Sequence, residues 1–127
     1  MTESEIGTII VDCAVKIHKD LGPGLLETVY EVILARALER RGLRVERQVG
    51  ICISYQGERF EDAFRADLIV EGKVIVELKS LEHINSAHKK QLLTYLRLTG
   101  LRLGFLLNFG EALMRDGITR TINGNID

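Results

Sequence analysis

The chain of 127 residues contains two cysteines and no cysteine motif. Cys13 and Cys52 stand far apart, and neither belongs to a CxxC pair. A disulfide scaffold and a sulfur-ligated metal site are therefore not expected. We predict that both side chains are buried thiols of a protein that folds in a reducing compartment.

Long apolar runs and an excess of either charge are also missing. No apolar stretch approaches the roughly 20 residues of a membrane-spanning helix, and the first residues are acidic rather than signal-like. We therefore expect no membrane association and a cytoplasmic location. With 17 basic and 18 acidic residues the formal net charge is −1, so no overall positive field attracts nucleic acid, and a site for a polyanion must be local.

Several enzyme motifs are absent. The sequence has no Cys/His zinc pattern, Walker loop, GxGxxG fingerprint or Ser-His-Asp order, which excludes the enzyme classes built on them. It also has no internal repeat, low-complexity tract or linker. Since domains typically contain about 100 to 150 residues, we expect residues 1–127 to form one domain.

The apolar spacing predicts the secondary structure. Helices are expected over residues 4–20 and about 25–41, separated by a tight turn at the chain's single proline, Pro23, which lies between two glycines. Strands follow over 43–49, 51–56, 59–70 and 73–79, then a helix over 86–99 and strands over 101–108 and 114–122. The order ααβββαβ predicts an α/β fold with a mixed central sheet, in which an antiparallel meander is joined by a parallel strand, flanked by helices.

Two strands of this meander carry acidic residues at matched positions. A three-residue loop over 71–73 pairs Val70 with Val74, and counting outward places Asp67 across from Glu77. Glu77 and Lys79 share one face because side chains alternate along a strand. Two opposed carboxylates are destabilising unless a divalent cation or the Lys79 ammonium group neutralises them. The alternative is an ordinary surface ion pair between Glu77 and Lys79.

An acidic residue followed ten residues later by Glu-x-Lys on the next strand resembles the PD-(D/E)XK nuclease superfamily. Other segments resemble the GxxExxY family within it, namely Gly24-Leu25-Leu26-Glu27-Thr28-Val29-Tyr30, Phe64-Arg65-Ala66-Asp67-Leu68, His88-Lys89-Lys90-Gln91 running into Tyr95-Leu96, and Gly104-Phe105-Leu106-Leu107-Asn108-Phe109-Gly110. The resemblance covers about residues 5–122. Ala66 stands where the superfamily usually has proline, but that proline carries no ligand.

The resemblance implies a restriction-endonuclease-like core and a metal site. Asp67 and Glu77 would hold Mg²⁺ or Mn²⁺, with the main-chain carbonyl of Leu78 as a third ligand and Glu27 as a direct or water-mediated ligand. Lys79 would orient the attacking water or stabilise the negative charge of the transition state. For Glu27 the alternative is that its carboxylate complements the positive end of the second helix.

Gln91 and Tyr95 are four residues apart and therefore lie on one face of the third predicted helix. They resemble the QxxxY element of RecB-like nucleases, in which both side chains abut the catalytic face. The alternative is a polar contact between helix and sheet. His88 lies on the same stripe, and we assign it no catalytic role.

These residues predict a metal-dependent nuclease that hydrolyses phosphodiester bonds, with DNA expected as substrate more than RNA. The alternative is a catalytically silent module with a nuclease fold that acts in nucleic-acid or protein binding as a homodimer. The near-neutral charge favours the alternative, whereas the intact set of Asp67, Glu77 and Lys79 favours the enzyme.

Overall fold

The computed structural model describes residues 1–126. Helices α1 (Glu3–Leu21) and α2 (Glu27–Arg40) precede strands β1 (Val45–Tyr55), β2 (Glu58–Val70) and β3 (Val74–Lys79). Helix α3 (Ser86–Thr99), strand β4 (Leu103–Asn108), a short 3-10 helix (Met114–Gly117) and strand β5 (Ile118–Ile122) follow. The predicted order is confirmed, except that 43–49 and 51–56 contribute to one strand and the predicted last strand begins only after the 3-10 helix.

The five strands form one mixed sheet in the order β1-β2-β3-β4-β5. Strands β3 and β4 are parallel, and every other neighbouring pair is antiparallel. Helix α3 makes the crossover between the two parallel strands, as predicted. Val70 pairs with Val74, which confirms the predicted register of the β2–β3 hairpin.

Hydrophobic side chains cover both faces of the sheet. On one face, α1 and α2 pack against the sheet through a cluster that includes Ile10, Leu34 and Leu68. On the other face, Leu92 and Leu96 of α3 pack against residues of β2, β3 and β4. Because both faces are covered, all of β4 is buried, as expected for a centre strand. No helix in the described part of the chain is long and apolar enough to cross a membrane.

The turn between α1 and α2 is held by Tyr30. Its hydroxyl donates a hydrogen bond to the carbonyl of Gly22 and accepts one from the N–H of Leu25 at 3.2 Å. Its buried ring stacks on Phe109, with the ring centroids 4.3 Å apart. Tyr30 therefore fixes where α2 begins relative to the end of β4.

The predicted burial of both cysteines is wrong for one of them. Cys13 is buried in the α1 side of the core, whereas Cys52 is exposed on β1. The Cys52 sulfur lies 3.2 Å from the guanidinium of Arg59 and 3.3 Å from the carboxylate of Glu61. The reason is that this part of the β1–β2 hairpin extends past β3, which pairs with β2 only over Leu68–Val70.

The segment after β3 is fixed by the end of β4. The buried side chain of Asn108 accepts a hydrogen bond from the N–H of Leu81 and donates one to its carbonyl, each at 3.0 Å. A Cβ atom on Gly110 would collide with that same carbonyl group. Close packing of two backbones therefore holds the chain just beyond Lys79.

We predict that Gly110→Ala lowers the free energy of unfolding by about 1–3 kcal/mol, because overpacking against backbone cannot relax by a side-chain rotation. Gly104→Ala is the matched control, since its Cβ would meet a terminal carbon of the Leu92 side chain at 3.0 Å rather than a backbone atom. Urea unfolding of both variants measures the difference. If the free energy of unfolding fell by the same small amount in both variants, this account of the β3 terminus would be contradicted.

Candidate functional site

Asp67 and Glu77 lie where strands β2 and β3 separate. The last backbone pair is Leu68 with Val76, and beyond it the two carboxylates take over the hydrogen bonding. The Asp67 N–H donates to Glu77 Oε2 at 2.7 Å, and the Leu78 N–H donates to Asp67 Oδ2 at 2.9 Å. The structure thus brings Asp67 and Glu77 together, one side chain on each strand.

Strand β2 changes faces at Asp67. Leu68 packs with the cluster beneath α1 and α2, yet Ala66, two residues away, packs with the cluster beneath α3. Regular alternation would place both side chains on one face. Gln48, which lies between the pairs Arg47–Leu68 and Val49–Ala66 on β1, has a left-handed backbone with φ of 52°. The local break in both strands places Asp67 at the boundary between the two apolar clusters.

Glu77 has an unusual electrostatic environment. Burial raises the pKa of its carboxyl from 4.5 to about 8, and the negative charge of Asp67 acts in the same direction. The charge of Lys79 and the N–H of Asp67 act in the opposite direction and only partly offset this rise. Two carboxylates therefore share a partly buried position without full neutralisation by the protein.

Lys79 lies close enough to Glu77 for its charge to lower the Glu77 pKa. Its side chain is partly buried, and within the described residues it forms no ion pair. The adjacent Ser80 hydroxyl donates to the carbonyl of Leu25 at 2.7 Å, which ties the end of β3 to the turn before α2. The Lys79 ammonium group therefore remains available to a ligand.

Tyr95 of α3 stands beside the two carboxylates. Its pKa is raised by burial and then by the charges of Glu77 and Asp67. Its ring stacks on Phe64, with centroids 3.8 Å apart and planes at 8°. Gln91, one turn earlier, is exposed, and its side chain forms no hydrogen bond to residues that the structure describes. Tyr95 is thus near enough to both carboxylates for their charges to act on it, and the catalytic roles of Tyr95 and Gln91 both stay predictions.

His88 accepts a hydrogen bond at Nδ1 from the Asn85 N–H at 3.2 Å, and Asn85 in turn accepts the N–H groups of Ala87 and His88. This reciprocal pattern satisfies N–H groups at the start of α3. His88 is accordingly a helix-capping residue.

Glu27 is exposed at the first position of α2. Among the described residues it shows no hydrogen bond or ion pair that joins it to Asp67 or Glu77, and its role as a metal ligand stays a prediction. Leu78 is buried, with its N–H on Asp67, and the role of its carbonyl likewise stays a prediction.

The structure instead connects Glu31, one turn after Glu27, to the site. Glu31 is buried and accepts hydrogen bonds from Arg47 Nη2 at 2.8 Å, Arg47 Nε at 3.1 Å and Gln48 Nε2 at 2.7 Å. Gln48 Nε2 also faces Asp67 Oδ1 at 3.4 Å. The sequence contained one signal for this, because Glu31 has helical spacing with the buried Leu34 and Leu38. A carboxylate on an apolar helix face needs a partner.

The donors at this site suit a hard cation. Within the described residues, no three His, Cys, Asp or Glu side chains are grouped to hold a metal ion, so Asp67 and Glu77 are the candidate side-chain ligands. Zn²⁺ ordinarily takes three or four protein ligands. Mg²⁺ takes one or two carboxylates and keeps several waters, and Mn²⁺ has similar preferences. The residues present therefore fit Mg²⁺ or Mn²⁺.

No curated protein is significantly similar to the chain. One solved structure, described as "Crystal structure of SSO0001", matches with a TM-score of 0.45 and 21% sequence identity over 93% of this chain and 67% of the other. This likeness is too distant to inform the function.

A family model described as the PD-(D/E)XK nuclease superfamily matches residues 4–121. Assignment to the narrower GxxExxY family stays a prediction. Because the match to the superfamily extends over almost the whole sequence, from α1 to β5, the chain belongs to the PD-(D/E)XK nuclease superfamily.

Proposed function

We propose that the chain is a nuclease that hydrolyses phosphodiester bonds in nucleic acid, DNA rather than RNA, with Mg²⁺ or Mn²⁺ as cofactor. Membership of the superfamily implies a nucleic-acid substrate. The observation that carries the proposal is the partly buried pair of Asp67 and Glu77 on adjacent strands, in which burial and then the charge of Asp67 raise the pKa of Glu77. Such a pair lowers the stability of the fold. Groups with strongly shifted pKa values cluster at functional sites, which supports a functional role for this pair.

Each residue has a distinct role in this proposal. Asp67 and Glu77 hold the cation through carboxylate oxygens, with the Leu78 carbonyl as a third ligand and Glu27 reaching the cation through a water molecule. The cation, when bound, supplies an activated water and offsets negative charge on the phosphoryl oxygens. Lys79 orients the water or donates hydrogen bonds to the attacked phosphate, where they strengthen as negative charge grows. Tyr95 and Gln91 form the wall of the site on α3.

A second candidate function is a silent module that binds nucleic acid or another protein, as a homodimer. Leu26, at the start of α2, is 73% exposed, and Leu25 and Val29 beside it are also exposed. An exposed apolar group of this kind favours a protein contact. Measurements of metal binding and of nuclease turnover separate the two functions, because a silent module requires neither.

We expect the wild-type protein to bind Mn²⁺ or Mg²⁺ and Asp67→Asn to bind it at least about tenfold more weakly, because one anionic ligand is lost. Isothermal titration calorimetry measures both affinities. Asp62→Asn is the matched control, since Asp62 lies on the same strand and is exposed. Absence of metal binding by the wild type would contradict the proposed function.

Lys79→Gln should reduce kcat on single- or double-stranded DNA by about 10²- to 10³-fold, which is typical for loss of a group that stabilises transition-state charge. Metal affinity should change much less, because Lys79 is not a ligand. Lys16→Gln on the exposed face of α1 serves as the control. Unchanged turnover in Lys79→Gln would remove Lys79 from the mechanism, and absence of turnover in the wild type would favour the silent module.

In a chelating buffer, stability should fall as pH rises from 4.5 to 8, the interval over which the folded Glu77 carboxyl keeps its proton and the unfolded one has lost it. Unfolding then releases a proton, and the free energy of unfolding decreases by up to about 1.4 kcal/mol per pH unit. Glu77→Gln should remove this component of the pH dependence. Urea unfolding across this pH range gives the two profiles, and parallel profiles would contradict the prediction.

A further inference from the structure

Gln48 has a backbone conformation that is unusual for a residue inside a strand. Its φ is 52°, in the left-handed region that non-glycine residues occupy at a cost. Gln56, Asp62 and Glu71 share this conformation. Gln56 and Glu71 lie in the turns that join β1 to β2 and β2 to β3, and Asp62 lies at the register shift between the pairs Ile51–Phe64 and Ile53–Phe60. Gln48 instead lies within β1, with paired residues on both sides and Asp67 opposite. An interaction of its side chain must offset the strain.

The left-handed backbone places the Gln48 amide between two carboxylates. Nε2 donates to Glu31 Oε1 at 2.7 Å and faces Asp67 Oδ1 at 3.4 Å. Carboxylate oxygens accept and do not donate. The NH₂ end of the amide must therefore face both groups, with one hydrogen directed at Glu31 and the other available to Asp67.

Glu31 is a rigid anchor for this amide. It is 3% exposed, and the guanidinium of Arg47 holds it through two hydrogen bonds. On the other side, Asp67 Oδ2 accepts the Leu78 N–H. Each oxygen of the Asp67 carboxylate is thus approached by a different donor, one from β1 and one from β3.

We propose that Gln48 is a positioning residue that ties Asp67 to the ion pair of the buried Glu31 with Arg47 and fixes the orientation of the Asp67 carboxylate for the divalent cation. The inference rests on the proposed function for the part that concerns the cation. Gln48 and Glu31 do not touch the cation. They act through Asp67, and a neutral amide does so without adding charge beside two carboxylates.

The test replaces Gln48 without removing the left-handed backbone. Gln48→Gly deletes the amide, and glycine adopts positive φ without strain. Gln48→Asn is the second variant, because asparagine tolerates this conformation and its side chain is one methylene too short to bridge Glu31 and Asp67. Gln56→Gly and Gln56→Asn are matched controls, since Gln56 has φ of 49° in the exposed turn between β1 and β2.

Two readouts are compared with the wild type. Mn²⁺ affinity measured by calorimetry should fall about tenfold or more in the Gln48 variants, as is typical when a partner that orients a ligand is lost. In the metal-free protein, hydrogen exchange of the Leu78 amide, relative to that of Phe105 in β4, should accelerate about fivefold, since a freed Asp67 carboxylate no longer holds that amide. Both values should stay unchanged in the Gln56 variants.

The outcomes separate this inference from the proposed function. Unchanged relative exchange of Leu78 overturns the positioning role, and so does an unchanged Mn²⁺ affinity where the wild type binds Mn²⁺. A uniform acceleration of all amides also overturns it, because that result indicates general destabilisation. If the wild type binds no metal, the proposed function fails, and the Leu78 exchange alone decides whether Gln48 orients Asp67.

Discussion

The exchange of hydrogen bonds between Asp67 and the start of the Glu77–Leu78 segment is the interaction on which the site depends. At the last backbone pair of β2 and β3 the strands part, and unpaired N–H groups inside a fold are costly. The side chain of Glu77 satisfies the N–H of Asp67, and the side chain of Asp67 satisfies that of Leu78. The same contacts that complete the sheet therefore bring two carboxylates together.

The chain places carboxylates out of full contact with solvent in two ways, and the contrast distinguishes the proposed metal site from a structural carboxylate. Glu31 is neutralised by Arg47 and hydrogen-bonded by Gln48, so its charge is compensated as a buried charge must be. Glu77 is partly buried beside another carboxylate, and Lys79 only partly offsets the rise in its pKa. The uncompensated pair is suited to a cation, whereas Glu31 is suited to structural support.

Much of the fold followed from local patterns. Apolar periodicity predicted α3 over the residues that form it, and the three-residue loop after Val70 predicted the register that opposes Asp67 and Glu77. Burial was predicted less well. Cys52 lies in the β1–β2 hairpin, which extends beyond β3. No local sequence pattern predicts over how many residues β3 will pair with β2.

The sequence by itself determined the α/β order, the pairing of β2 with β3 and the presence of Asp67, Glu77 and Lys79 on adjacent strands, because strand alternation and loop length are local properties. Only the tertiary structure decided that both strands change faces at Gln48 and Asp67, and that Glu31 is the helix glutamate connected to the site by hydrogen bonds. These features depend on how two apolar layers close over one sheet. They arise from packing between residues distant in sequence, which spacing along the chain does not encode.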